Sequence, residues 1–169
     1  MSVVQDQSPV ADAPPPPETG LANVLSFRAG ALYDGPVVPL AEFTVRSNTA
    51  AVRLDPGDDA RALIPHLAGL RLIEVSFPKY RDGRGYSAAR ILREASYTGE
   101  LRAAGDVLLD QIVFLRRAGF DSFAPAAPLD RAAVDVALAR FPFVYQKAAD
   151  AQVPVWTLRA DRASNPRDG

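Results

Sequence analysis

Residues 79 to 87 read Lys-Tyr-Arg-Asp-Gly-Arg-Gly-Tyr-Ser, which sets three cations, one carboxylate and two glycines in one short stretch. Gly83 and Gly85 allow the backbone to turn tightly and to approach a ligand closely. A helix starting near Ser87 would add free N–H groups facing an anion. Arg84 could clamp a sulfur or phosphorus oxyanion through two parallel hydrogen bonds. A simpler assignment uses the same residues: the glycines make a connecting turn, Ser87 caps the helix, and Arg84 pairs with Asp82.

A second polar group follows at Arg102, Asp106, Asp110 and Gln111. Asp106 and Asp110 stand one helical turn apart, a spacing that suits acid and base work or a magnesium ion. Asp106 is also explained as an N-cap. Asp110 and Gln111 interrupt the apolar run of Leu108-Leu109 and Ile112-Val113, which predicts a network with Arg84 or Arg102 ahead of any metal site. A purely structural role for this network is a further alternative.

Gly83-Arg84-Gly85-Tyr86-Ser87-Ala88 also satisfies the G-x-G-x-x-A form of the dinucleotide fingerprint. Five residues separate Phe77 from Gly83, where the fingerprint has its first glycine directly after the strand, so nucleotide binding ranks behind oxyanion capture. Ser87 has no neighbouring histidine, and His66 is the single one in the chain, which argues against a Ser-His hydrolase. The absence of cysteine removes disulfides, thiolate zinc sites and cysteine-ligated iron–sulfur clusters.

Several elements must position these groups. Leu72 to Phe77 has strand composition, with Ile73, Val75 and Phe77 alternating with Glu74 and Ser76. Ala88, Ile91, Leu92 and Ala95 mark one face of a helix starting near Ser87, from which Arg90, Arg93 and Glu94 point away. Glu100 to Ala104 is a second strand, Val107 to Arg117 a helix closed by Gly119, and Phe120 to Phe123 a third strand. Upstream, Ala60, Leu63, Ile64 and Leu67 predict a helix capped by Asp58 or Asp59, and downstream Asp130 caps a helix with Val134, Ala137, Leu138 and Phe141 inward, ended by Pro142. Short β-prone pieces at 37–40, 43–45 and 51–54 precede them.

This alternation predicts an α/β fold: a mostly parallel sheet built from consecutive βαβ units, either open and three-layered or of partial-barrel type, with a short β-rich N-terminal part. The loops after its strands share one edge, where ligands of such folds usually bind. The boundaries expected are a Pro-rich disordered tail over 1–20, containing Pro14 to Pro17, one domain over 21–157, and a frayed polar tail over 158–169. A formal charge of -1 supplies no basic field for nucleic acid or anionic lipid, and no apolar run is long enough to span a bilayer. A cytoplasmic protein is expected.

The run Phe77-Pro78-Lys79-Tyr80-Arg81-Asp82-Gly83-Arg84-Gly85-Tyr86-Ser87, with Leu92-Arg93-Glu94, Gly99 to Ala103, Gly105-Asp106-Val107, Asp110-Gln111 and Gly119-Phe120-Asp121, resembles a bacterial family of unknown function, family 934. That family is labelled an oxidoreductase or accessory protein of assimilatory sulfite reduction. The resemblance implies a cytoplasmic role in sulfate assimilation beside sulfite reductase, with no defined reaction or cofactor. Lys79 and Tyr80 depart from the family pattern, an aromatic followed by Thr, so no contact is carried over to them.

Overall fold

The computed structural model describes residues 21–43, 49–140, 143–149 and 152–157. Six strands form one sheet: β1 (Leu25–Ser26), β2 (Val38–Pro39), β3 (Ala51–Leu54), β4 (Leu72–Phe77), β5 (Glu100–Gly105) and β6 (Ser122–Pro125). Their spatial order is β1-β6-β5-β4-β3-β2; β2 through β6 run parallel and β1 closes antiparallel on β6. The helices are α1 (Leu40–Phe43), α2 (Arg84–Glu94), α3 (Ile112–Ala118) and α4 (Arg131–Ala139), with a 3-10 helix over Ala60–Gly69.

Because β2 to β6 are neighbours in sequence order, connections of one hand return on the same side of the sheet. The core shows the result: Leu63, Ala89, Leu92, Ile112, Leu115 and Val134 pack in one cluster with Val52, Ile73, Val75, Leu101 and Phe123. This one-way winding puts one helical layer on the sheet among the described residues, and the sheet ends at β1 on one side and β2 on the other.

The strand alternation decides what the other face carries. With Ile73 and Val75 against the helices, Leu72, Glu74 and Ser76 face away, and the parallel register sets them beside Glu100, Arg102 and Ala104. Ser122 stands next to Arg102, and Arg53 next to Glu74. Glu74, Glu100, Arg102 and Ser122 are all buried. Tyr33 packs on Ala51 and Leu72 at this face.

Several local expectations change. The segment after Asp59 is a 3-10 helix, capped by the Asp59 carboxylate through Arg61 N. Pro65 lies inside it and has no N–H for an α-helical bond. A three-residue period buries Ala60 and Leu63 and leaves Ile64 exposed. α2 begins at Arg84, one turn before Ser87. The expected helix from Val107 opens with a 3-10 turn over Leu109–Gln111 and becomes α-helical at Ile112. β6 starts at Ser122, because Phe120 is drawn into the helical core, with its ring 5.8 Å from that of Phe77. In the piece at 37–40 only Val38 and Pro39 are strand, and Leu40 already begins α1, which runs on to Phe43. α4 is capped by Asp130 as its sequence implies, and buries Val134. The expected tails, residues 44 and 45 of the 43–45 piece, Phe141 and Pro142 lie outside the described residues.

Candidate functional site

The loops after β4 and β5 meet through the backbone of Tyr80. Asp106 Oδ2 accepts from Tyr80 N at 2.9 Å, and Gln111 Nε2 donates to Tyr80 O at 2.6 Å. Gln111 Oε1 in turn accepts from Leu108 N at 3.2 Å. Asp106 N is fixed by Phe77 O at 2.7 Å. The sequence places Asp106 as a helix cap; the structure uses it to tie two loops together, since the chain runs on through Val107 and Leu108 before turning helical.

Asp82 and Arg84 form the expected pair. Asp82 Oδ1 accepts from Arg84 N and Nε, and Oδ2 from Arg84 Nη2 at 2.6 Å. Asp82 thus satisfies the opening of α2, while the Ser87 hydroxyl, inside the helix and exposed, has no cap to make. Gly83 has ordinary helical angles and open space around it. Gly85 is required for another reason: a Cβ there would run into the Phe77 ring. The second glycine lets α2 sit close on β4, which is a packing reason for its presence. The cavity between Arg84, Asp82, Gly57 and Asp58 holds about 20 Å³, room for roughly one water.

The Arg84 guanidinium holds the Asp82 carboxyl down to about 2 from its ordinary 3.8. A depressed folded-state value means the ionised carboxylate favours the fold; its contribution is complete above the ordinary value and fades as the pH falls toward 2. Arg84 is largely exposed, so the effect is small and screened by salt. In urea melts across acid pH, the difference between the native chain and Asp82→Asn should be constant at neutral pH and close as the pH drops from 3.8 to 2. A pH-independent difference would exclude the ion pair as its source.

Arg102 is not at this edge. It lies within β5 on the sheet face away from the helices, where Nε and Nη2 donate to Glu100 Oε1 at 2.9 and 2.7 Å, and Nη2 to Tyr33 O at 2.8 Å. Ser122 Oγ donates to the same Glu100 oxygen at 2.6 Å, and Tyr33 N to Glu100 Oε2 at 2.8 Å. Glu74 bridges outward, 2.9 Å from Arg53 and 3.8 Å from Arg102. Two cations and two carboxylates balance across neighbouring strands. Asp110 meets neither Arg84 nor Arg102; it is exposed, and its charge is felt at Tyr86, whose hydroxyl is raised mainly by burial. The expected two-loop arginine cluster is therefore three separate arrangements: a loop clamp in which Asp106 and Gln111 hold Tyr80, the Asp82–Arg84 pair at the start of α2, and a buried ladder at Arg53, Glu74, Arg102, Glu100 and Ser122.

Arg93 is a residue whose importance the helical wheel conceals. It does not project to solvent: Nε donates to Gly119 O, Nη1 to Tyr97 O and Gly99 O, and Nη2 to Asp121 Oδ2 at 3.0 Å. Asp121 also accepts from Arg28 and from Leu101 N. Burial raises its carboxyl against these donors. Gly119, left-handed at φ +117, ends α3 and presents the carbonyl that Arg93 needs. The sequence signal was the Arg-to-Gly-x-Asp pattern of 93, 119 and 121, legible only once β5 and β6 are known to be neighbours.

Among the described residues no group of three or more acidic or histidine side chains converges as a metal site, and no helix is long and apolar enough to cross a membrane. His66 is exposed and meets the Phe43 ring edge-on at 5.3 Å. No curated protein and no solved structure matches the chain at a significant level. One family model does match, over residues 51–156, which takes in β3 through α4, the loop clamp, the buried ladder, the Arg93–Asp121 hub and the aromatic segment ending at Trp156. On that match the chain belongs to DUF934, a family of bacterial proteins of unknown function.

Proposed function

We propose that this protein is an accessory component of assimilatory sulfite reduction that acts by docking on sulfite reductase. The pathway rests on the family resemblance of the central motifs. Docking rests on one observation: an aromatic surface outside the core. Phe114, Phe143, Tyr145 and Trp156 are all at least half exposed, with Tyr145 at 76%. Phe114 and Val113 of α3 line a shallow apolar groove with Phe143, Val144 and Tyr145. The Trp156 indole N–H donates to Tyr145 O at 3.1 Å, and Val144 bridges to Pro154, so the aromatic rings stand on a braced segment. Exposed apolar patches of this kind mark interaction surfaces, and aromatic residues are enriched at their energetic centres.

The alternative, a small oxyanion- or nucleotide-binding enzyme or sensor at the strand-end edge, draws less support. Its two arginines are separated, Arg84 is held by Asp82, and the cavity beside it admits little more than a water.

Size-exclusion chromatography with purified sulfite reductase at physiological salt tests the docking role. Co-elution is expected, and Phe143→Ala with Tyr145→Ala should weaken association at least tenfold, about 1.4 kcal/mol, without lowering stability. No association at micromolar protein, or unchanged affinity in the double variant, would count decisively against it.

A further inference from the structure

One cleft is distinct from both the loop clamp and the aromatic groove. It opens between α2, the end of α3 and residues 146–149, with a volume of about 770 Å³. Among the described residues its walls carry Arg90, Arg93, Arg117 and Lys147 against one carboxylate, Glu94, together with Ser87, Gln146 and the ring of Tyr86. Ala118, Ala148 and Ala149 supply an apolar side.

The cations differ in how firmly they are held. Arg93 is rigid: of its five N–H groups four are engaged, by Gly119 O, Tyr97 O, Gly99 O and Asp121, leaving one for a ligand. Arg90 pairs with Glu94 in an exposed i,i+4 contact, a kind that stabilises weakly and opens readily. Among the described residues Lys147 has no carboxylate partner and the exposed Ser87 hydroxyl has no hydrogen-bond partner. Arg117 donates to Gln146 O at 2.7 Å, which joins the two walls. The cleft therefore combines an anchored guanidinium, adjustable cations at the rim, a free hydroxyl and an apolar wall beside an aromatic ring. Its volume falls within the range of small-molecule sites.

We propose that this cleft binds a small phosphorylated or sulfated anion of nucleotide size, its anionic ester group held by Arg90, Lys147 and Ser87 and its ring on the Tyr86 and alanine side. This assignment is independent of the docking role. It also moves anion binding from the glycine loop, where Arg84 is occupied, to the outer face of the helix that the loop begins.

Isothermal calorimetry of the full chain with ADP at fixed ionic strength, with inorganic phosphate and sulfate as comparators, tests it. ADP should bind with a sub-millimolar Kd and at least tenfold more tightly than either inorganic anion. Arg90→Glu and Lys147→Glu should each weaken ADP at least tenfold, whereas Arg61→Glu, an exposed arginine outside the cleft with the same change of charge, should leave Kd unchanged. Unfolding temperatures of all three variants equal to the native chain show that the loss is not one of folding. The proposal is overturned if ADP gives no heat at millimolar concentration, if phosphate or sulfate binds as tightly as ADP, or if Arg61→Glu costs as much as the cleft variants.

Discussion

Replacing Glu100 with alanine is expected to cost about 3–5 kcal/mol, the usual penalty for removing one partner of a buried ion pair. Glu100 is 2% exposed and its two oxygens accept four hydrogen bonds, from Arg102 twice, Ser122 and Tyr33 N. Truncation leaves Arg102, itself 4% exposed, with Glu74 at 3.8 Å as its nearest remaining carboxylate. A loss of that size is a large fraction of the about 5–15 kcal/mol that holds a typical domain together. With a urea slope of about 2 kcal/mol per molar, the midpoint should fall by about 2 M.

The companion result separates charge from shape. Replacing Glu100 and Arg102 together by methionine removes the uncompensated charge, and is expected to recover much of the single-variant loss, because buried ion pairs often break even against well-packed apolar residues. If Glu100→Ala shifts the midpoint by less than about 0.5 M, the ladder is not a buried, mutually dependent network. If the double variant is as unstable as the single, Ser122 and Tyr33 depend on the glutamate itself.

Gly105→Ala should be the most damaging small substitution. Gly105 sits at φ +106, a region that side chains rarely adopt, and an added Cβ would lie 2.5 Å from Phe77 O. That oxygen accepts from Asp106 N, and Gly105 O accepts from Ala126 N, both at 2.7 Å. One methyl group would thus spread the ends of β4 and β5 and displace the aspartate that clamps Tyr80. A loss of at least about 2 kcal/mol is expected from backbone strain with the steric shift added. Gly83→Ala is the control: its φ is -76 and nothing lies within 4 Å, so it should be neutral or gain up to about 1 kcal/mol through the unfolded chain. Denaturant melts of the two variants check this directly, and equal effects would mean that φ and the close approach at Gly105 are not limiting.

The element order from β4 to α4 was open to reading in the residues because its determinants are local. Alternation in Ile73, Val75 and Phe77, the apolar spacing of Leu92 with its neighbours, and the Asp130 cap each act within a few positions. The Asp82–Arg84 pair is local too, two residues apart. The charged pair Glu100 and Arg102, two apart in a strand, already shared one face of it.

What those charges meet was decided only by tertiary structure. Register set Glu74 beside Arg102 and brought Ser122 to Glu100; Tyr33, 67 residues away in sequence, closed the network. The same long-range pairing turned Arg93 inward onto Gly119 and Asp121 and sent Arg102 away from Arg84. Proline inside a short helix made the Ala60–Gly69 segment 3-10, a competition between backbone bonding and apolar spacing that composition does not resolve. The Asp82 to Ser87 loop stands, as its sequence implied, at the strand-end edge of the sheet, where Asp82 and Arg84 bind each other. Basic side chains and exposed aromatic rings collect instead on surfaces assembled from α2, α3 and the segment after α4, and no spacing along the chain joins those pieces.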